Sequence, residues 1–136
     1  MLTTRSETYD VRLAPDIVNV RQVVRGWCMT IGMGLVDLTK IVTAASEIAR
    51  NTLDYGQGGT MLIEELRDGL KAGVRLTFAD HGPGIADIGR AMTDGYTSGG
   101  GMGLGLGGTK RLVDDFRLES TPGAGTTIAI TKWKSR

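Results

Sequence analysis

Hydrophobic positions in the first part of the chain follow a helical period. A loosely alternating segment from Ser6 to Leu13 predicts a first strand, and beyond it apolar residues recur three or four positions apart. Ala14-Pro15-Asp16 has the composition of a helix start, and Gly32 to Gly34 interrupts the periodic run. The pattern predicts one helix from Ala14 and a second from about Val36 to Leu53.

The second predicted helix has two distinct faces. Its apolar stripe consists of Leu38, Ile41, Ala45, Ile48 and Thr52, and its opposite stripe consists of Lys40, Thr43, Glu47, Asn51 and Asp54. Such a stripe pattern is typical of a helix that packs one side against a core. We therefore expect the polar stripe to face solvent or a ligand.

Beyond the second helix the period changes from helical to alternating. The apolar residues Met61 and Ile63 belong to one segment and Val74, Leu76 and Phe78 to the next, and a turn-rich stretch separates them. That stretch runs from Arg67 to Gly73, so the pattern predicts a hairpin. The remaining predicted elements are a short helix over Ile85–Met92, a loop over Thr93–Gly101, a helix over Leu104–Asp115 and strands over Phe116–Ser120 and Thr126–Trp133.

Composition narrows the class of protein. The 136 residues, 40% of them hydrophobic, fit one domain spanning residues 1–136. A net charge of +1 without a basic block argues against a nucleic-acid partner, and no apolar stretch has the length of a membrane span. The single Cys28 excludes an internal disulfide and favours a reducing cytoplasm, with the thiol acting as a small core residue.

The most informative local feature is the run Gly99–Gly108, which holds seven glycines in ten residues ahead of a predicted helix. Glycine lets backbone N–H groups approach a ligand closely, and a helix start favours an anion, so the run is typical of phosphate binding. It is not a Walker loop, because no Gly-Lys-Ser/Thr follows, and it lacks the preceding strand of a Rossmann fingerprint. A linker is the structural alternative.

Two further motifs are ambiguous when each is taken alone. Glu47 and Asn51 share a helix face and could bind Mg²⁺ together with nucleotide phosphates, but a solvated face has the same pattern. The segment Asp80 to Gly84 could present a carboxylate at a strand end, with glycines that make room for a flat ring. A tight turn has the same composition.

The order of the motifs changes this picture. Glu47-x-x-x-Asn51, Asp80-x-Gly-x-Gly84, Gly101-x-Gly-Leu-Gly105 and Gly125-Thr126 follow one another as in the GHKL ATPase family of gyrase, Hsp90, histidine kinases and MutL, which the chain resembles over nearly its whole length. Within that family it is similar to the RsbT-type switch kinases that regulate sigma factors. The resemblance implies a Bergerat-type α/β (α+β) two-layer sandwich, in which helices back a mixed, mostly antiparallel sheet.

The resemblance also implies a site that binds ATP and Mg²⁺. The implied nucleotide positions are Asn51, Asp80, Gly82, Gly84, Ile85, Gly101, Met102, Gly103, Leu104, Gly105, Leu106 and Thr126. Asp80 would accept a hydrogen bond from the adenine amino group, Gly84 would let the ring approach, and Thr126 would support the same edge of the base. The amides of the glycine loop would bind the phosphates, with Leu104 and Leu106 as anchors.

The same resemblance assigns the catalytic roles. Asn51 would hold the Mg²⁺ ion, and Glu47 would act as general base or orient the attacking hydroxyl. The segment Thr93–Gly101 would be a mobile lid, but it contains no Lys or Arg that could reach the terminal phosphate. Arg50 is the nearest candidate cation, and a salt bridge with a surface carboxylate is the alternative role for it.

The implied activity is that of a protein serine/threonine kinase. Its substrate would be a STAS-domain protein, either an anti-sigma antagonist or a stressosome scaffold, and after release it would activate a PP2C-type phosphatase. One alternative is a nucleotide-gated, anti-sigma-type binding module without kinase activity, against which the intact Glu47 argues. A detached ATPase or histidine-kinase catalytic domain is the other.

Overall fold

The computed structural model describes residues 1–84, Met92 and residues 105–135. The elements in chain order are β1 (Leu2–Val11), α1 (Ala14–Thr30), α2 (Leu35–Asp54), β2 (Gly59–Asp68), β3 (Lys71–Asp80), α3 (Gly105–Lys110), β4 (Asp115–Thr121) and β5 (Gly125–Trp133). The helix predicted over 85–92 and the lid predicted over 93–101, apart from Met92, lie outside the described residues.

The strands form one sheet in the order β1-β2-β3-β5-β4, with β3 at its centre. Each of the four described pairings is antiparallel. The predicted hairpin is confirmed, but its turn is tighter than expected: Asp68 pairs with Lys71, so only Gly69 and Leu70 connect β2 to β3. Gly69 has a φ of +62°, a conformation that glycine adopts without steric cost.

Helices α1 and α2 cover one face of this sheet. Along β3, Val74, Leu76 and Phe78 are buried, whereas the residues between them are half-buried, so alternate side chains face the helical layer. The whole predicted apolar stripe of α2 is buried against these strands. Each buried leucine or isoleucine of this stripe contributes about 1.5–3 kcal/mol when it leaves water. The predicted two-layer α/β fold class is thereby confirmed.

The ends of the two long helices follow the predicted signals. Asp16 accepts the backbone N–H groups of Arg12 and Leu13 at 2.9 and 3.0 Å, which fixes the start of α1 at Ala14. These two hydrogen bonds hold the pKa of Asp16 below its ordinary value. Gly32 lies just beyond α1 with a φ of +78°, and the short connection to Leu35 makes α1 and α2 an antiparallel pair.

The predicted helix over Leu104–Asp115 is wrong at its C-terminal end, because α3 ends at Lys110 and β4 begins at Asp115. The carboxylate of Asp114 accepts hydrogen bonds from the backbone N–H of Trp133 at 2.7 Å and from Lys132 Nζ at 3.4 Å. Contacts with β5 therefore override the local helical pattern. No helix within the described part of the chain is long and apolar enough to cross a membrane.

Candidate functional site

Asp80 is a buried carboxylate at the end of the central strand. Asp80 is only 6% exposed, and its Oδ1 accepts hydrogen bonds from two backbone N–H groups, that of Gly82 at 2.9 Å and that of Thr126 at 3.2 Å. Hydrogen bonds to a charged acceptor are stronger than those between neutral groups and compensate for the cost of burial. Asp80 therefore connects the end of β3 to the start of β5.

Glycine backbone surrounds this carboxylate on several sides. A Cβ at Gly56 would stand 2.3 Å from Asp80 Cγ and Oδ2, and a Cβ at Gly82 would stand 2.7 Å from the Cα of Gly56. Gly125, with a φ of +99°, would place a Cβ 2.2 Å from the carbonyl oxygen of Asp80. Any side chain at these three positions would displace either the Asp80 carboxylate or the backbone around it.

The second oxygen of Asp80 keeps its acceptor capacity. None of the residues that the structure describes donates a hydrogen bond to Oδ2. The same residues contain no fully buried side-chain nitrogen or oxygen without a partner, so Oδ2 is not sealed from solvent. A donor on a ligand can thus reach a fixed carboxylate, which is the arrangement that recognition of an amino group requires.

Thr126 lies beside Asp80 on β5 and is buried. Its Oγ1 is 2.8 Å from Ser120 Oγ across the β4–β5 hairpin, in which Ser120 and Thr126 are directly paired. Sequence reasoning singled out Thr126 but missed Ser120. The turn signal Pro122–Gly125 would have identified the pairing, because it fixes which residue of β4 lies opposite Thr126.

Gly84 has a structural reason to be glycine. Its φ is +78°, and a Cβ there would stand 2.4 Å from the carbonyl oxygen of Thr121. The preceding residue, Pro83, accepts the N–H of Gly123 at 2.7 Å, so this loop packs against the β4–β5 turn. The contact predicted between Gly84 and an adenine ring stays a prediction.

Glu47 and Asn51 lie one turn apart on α2, and both are half-buried. Within the described residues neither side chain forms a hydrogen bond or an ion pair, so both remain available to a ligand. The carbonyl oxygen of Asn51 accepts the N–H of Gly56 at 3.2 Å, and Gly56 in turn touches Asp80. The structure thus connects the end of α2 carrying Asn51 to the buried carboxylate.

Arg50 is exposed and lines a solvent-open cavity of about 370 Å³ between α1 and α2. The side chains around this cavity are Arg21, Arg25, Thr39, Val42, Thr43, Ser46, Glu47 and Arg50. The structure therefore brings Arg50 and Glu47 to one cavity, while their catalytic roles stay a prediction. Arg21 and Arg25 were missed by sequence reasoning, because periodicity does not reveal which faces of two helices adjoin.

Only the end of the glycine run lies in the described part of the chain. Gly105 begins α3 with a φ of +69°, and its carbonyl accepts the hydroxyl of Thr109 at 2.9 Å. Leu106 is buried in the core, and its predicted role as an anchor of the glycine loop stays a prediction. The other predicted residues of this group, Ile85, Gly101, Met102, Gly103 and Leu104, lie outside the described residues. Contacts of the run with phosphates stay a prediction.

Comparison with known proteins agrees with this arrangement. The family described as histidine kinase-, DNA gyrase B-, and HSP90-like ATPase matches residues 36–136. The serine/threonine-protein kinase RsbT of Bacillus subtilis (strain 168) is 46% identical over 118 residues, which cover 87% of this chain and 89% of that protein. An anti-sigma F factor of Bacillus licheniformis is 32% identical over 108 residues, covering 74% of this chain and 72% of the relative.

Two solved structures share the fold. The crystal structure of the RsbU and RsbW domains of a Mycobacterium tuberculosis protein has a TM-score of 0.68 at 24% identity. The match covers 98% of this chain and only 33% of that longer one. The mycobacterial sensor histidine kinase MprB has a TM-score of 0.55 at 18% identity, covering 96% of this chain and 98% of the other.

The resemblance to GHKL proteins is therefore confirmed, and so is the enzyme class, since the chain is a homologue of a serine/threonine-protein kinase at 46% identity. The match begins at the second residue of α2 and includes every predicted site residue. The chain belongs to the family of histidine kinase-, DNA gyrase B- and HSP90-like ATPases.

Proposed function

We propose that the chain binds ATP with Mg²⁺ and transfers the terminal phosphoryl group to a serine or threonine of a STAS-domain protein in a bacterial partner-switching module. The observation that carries this proposal is the pair Glu47 and Asn51. Both side chains lie on one helix face without internal hydrogen bonds in the described part of the chain, and the carbonyl of Asn51 is linked through Gly56 to the buried carboxylate of Asp80. A binding module without chemistry would not need Glu47.

Asp80 is the proposed adenine acceptor. Its Oδ1 is occupied by two backbone donors, so the carboxylate cannot turn, while Oδ2 can accept the exocyclic amino group of the base. Thr126, held by Ser120 at 2.8 Å, lies on the neighbouring strand and supports the same edge of the base. Guanine carries an oxygen where adenine carries its amino group, and two acceptors repel, so this arrangement favours ATP over GTP.

Asn51 is the proposed metal ligand. Its half-buried side chain offers one amide oxygen, and Mg²⁺ in nucleotide sites takes few protein ligands and keeps phosphate oxygens and waters. The donor set therefore fits a magnesium ion that arrives with the nucleotide. Such an ion would neutralise charge that develops on the phosphates during transfer.

Glu47 is the proposed general base. The oxygen of the substrate hydroxyl forms a bond to the γ-phosphorus, the bond from that phosphorus to the β–γ bridging oxygen breaks, ADP leaves, and Glu47 takes the hydroxyl proton. Arg50, one helical turn from Glu47, supplies a positive charge on the same side. The backbone amides of Gly101, Gly103 and Gly105 are the proposed hydrogen-bond donors to the phosphates of ATP.

The partner and the location are further parts of this proposal. The resemblance to switch kinases favours a STAS-domain substrate in the cytoplasm, and a PP2C-type phosphatase as the protein that the released kinase activates. A second function has a specific observation in its favour, because several relatives at about 30% identity are named anti-sigma F factors. In that case the chain would bind a sigma factor and transfer nothing.

The test uses γ-labelled ATP, Mg²⁺ and a STAS-domain protein encoded beside the gene of this chain. We expect label on serine or threonine of that protein with the wild type. We expect at least about a hundredfold slower transfer with Glu47→Ala, because a positioned base contributes on the order of 10²- to 10⁴-fold. Calorimetry should give the same ATP affinity for both, with Mg²⁺ required for tight binding.

Two results would contradict the proposal. If ATP does not bind the wild type, the nucleotide site is wrong. If ATP binds but no label reaches the STAS protein, while the chain binds a sigma factor, the anti-sigma function replaces the kinase function. Glu119→Ala is a suitable control for Glu47→Ala, since it removes the same side chain from an exposed position on β4.

A further inference from the structure

The outer side of the α1–α2 pair carries an open groove, which contains the cavity of about 370 Å³ described above. Arg21 and Arg25 of α1 lie on one side of it, and Arg50 and Glu47 of α2 lie on the other. All three arginines are exposed. The groove therefore has an excess of positive charge, although the chain as a whole carries only +1.

Arg5, Arg67 and Arg75 on the sheet each pair with a carboxylate, whereas the three groove arginines have no such partner among the described residues. Among residues 1–84, 92 and 105–135, no ion pair or side-chain hydrogen bond involves Arg21, Arg25 or Arg50. On the sheet, by contrast, Arg75 pairs with Glu64 at 2.9 Å. Like charges that share one cavity repel each other, and carboxylates on another molecule would remove that cost.

The groove is flanked by exposed apolar side chains. Val18 and Met29 continue the helical stripe of Arg21 and Arg25, and Met29 is 64% exposed. Val36, at the start of α2, is 69% exposed. Arginine and methionine are enriched in protein interfaces, so a groove that combines exposed arginines with exposed apolar side chains has the composition of a surface that binds another protein.

The two ends of the groove differ in chemistry, since one end is charged and the other is apolar. Because α1 and α2 are antiparallel, Arg21 lies towards Arg50 and Glu47, whereas Met29 lies towards Val36 at the other end. At a rise of 1.5 Å per residue, Val36 and Glu47 are about 16 Å apart along the axis of α2. The charged end of the groove is thus next to the proposed general base.

We infer that this groove docks an acidic surface of the protein substrate, with Arg21 and Arg25 as residues that select the substrate and do not touch ATP. The inference rests on the proposed function, since Glu47 as the base fixes where the acceptor hydroxyl lies. Acidic side chains of the substrate flank that hydroxyl, and an apolar side chain about 16 Å away contacts Met29 and Val36.

The test measures binding and catalysis separately, with the neighbouring STAS-domain protein as the probe. Binding of that protein to the double variant Arg21→Glu/Arg25→Glu should be at least about tenfold weaker by calorimetry, and its KM in transfer should rise by a similar factor. The affinity for ATP should stay the same. Arg21→Lys/Arg25→Lys should retain most of the binding, because it keeps both charges.

Arg117→Glu is the control for charge reversal outside the groove, since Arg117 is an exposed arginine on the edge strand β4. It should leave the KM unchanged. The docking inference is overturned if the double glutamate variant binds the STAS protein as the wild type does, or if Arg117→Glu weakens binding equally. It is also overturned if the wild type forms a dimer that the double variant abolishes, because a second copy then occupies the groove.

The two proposals fail in different ways. If the wild type binds ATP and the STAS protein but transfers no label, the kinase function is wrong, whereas the loss of binding in the double variant still supports the groove. If label is transferred with an unchanged KM in the double variant, the kinase function stands and the groove assignment is wrong. Circular dichroism of each variant verifies that these exposed substitutions leave the fold intact.

Discussion

Gly56 lies flat against the carboxylate of Asp80, so that a Cβ at Gly56 would stand 2.3 Å from both Cγ and Oδ2. The N–H of Gly56 donates to the carbonyl of Asn51 at 3.2 Å, and the N–H of Gly82 donates to Asp80 at 2.9 Å. Gly56 therefore contacts both the backbone of Asn51, the proposed metal ligand, and the carboxylate of Asp80, the proposed hydrogen-bond acceptor for adenine.

Gly56→Ala should weaken ATP binding. The new methyl group must displace the Asp80 carboxylate or the backbone after α2, which breaks the alignment of Oδ1 with its two donors. Loss of a hydrogen bond to a charged group costs about 1.5–3 kcal/mol, so we expect about tenfold to hundredfold lower affinity. Isothermal titration calorimetry with ATP and Mg²⁺ measures this affinity.

Gly26→Ala is the control for this substitution. Gly26 lies inside α1, and a Cβ there would meet no atom within 4 Å. Alanine is the better helix former, so this variant should be more stable by about 0.5–1 kcal/mol with ATP affinity unchanged. Equal ATP affinities for the Gly56 and Gly26 variants would show that the contact with Asp80 does not support binding.

Asp80→Asn should lower the affinity for ATP while keeping the fold. The amide oxygen can still accept the N–H groups of Gly82 and Thr126, but the amide nitrogen replaces Oδ2 with a donor. A donor opposes the adenine amino group and suits the oxygen of guanine. We expect the preference for ATP over GTP to fall by at least about tenfold in competition binding. An unchanged preference with an unchanged melting temperature would contradict the proposed role of Asp80.

Local patterns account for the parts of the site that lie within one element. Glu47 and Asn51 could be predicted because two residues four apart on a helix necessarily share a face. The role of Gly56 could not, since it depends on the backbone of one segment approaching a carboxylate on a strand that comes later in the chain. The same holds for Arg21 and Arg50, which adjoin only because α1 folds back on α2.

The fold shows the same division between local and distant causes. The β2–β3 hairpin follows from alternation and a turn, both of which are local, and it is present with a shorter turn than expected. The C-terminal end of α3 does not follow from local signals, because the carboxylate of Asp114 accepts a hydrogen bond from the N–H of Trp133 on β5. A helical pattern near a strand can thus be overridden by hydrogen bonds that the local sequence does not encode.

Cys28 should be unreactive in the folded protein. It is fully buried in α1, and burial raises the pKa of its thiol to about 12. Because the thiolate is the reactive form, a thiol reagent such as dithionitrobenzoate at pH 8 should label it only when the chain unfolds. The labelling rate should rise with urea in parallel with unfolding measured by Trp27 and Trp133 fluorescence. Complete labelling within seconds in buffer would contradict this burial.

Asp37→Asn should lower the free energy of unfolding at neutral pH and should make that free energy less dependent on pH in acid. The side chain of Asp37, 13% exposed, accepts hydrogen bonds from Ser135 and lies 3.6 Å from Lys132 Nζ. The Ser135 hydroxyl first, and then the Lys132 ammonium, hold the pKa of Asp37 below its ordinary value of 3.8. As the pH falls through 3.8, the unfolded chain binds this proton before the folded one does, so the free energy of unfolding decreases. Asparagine has no proton to bind there, and it loses a charged hydrogen bond worth about 2 kcal/mol at pH 7.

Urea unfolding from pH 7 to pH 3 measures how the free energy of unfolding depends on pH. This dependence should be shallower in acid for Asp37→Asn than for the wild type or for the control Glu119→Gln, which changes an exposed carboxylate on β4. Parallel slopes for all three proteins would show that Asp37 does not contribute.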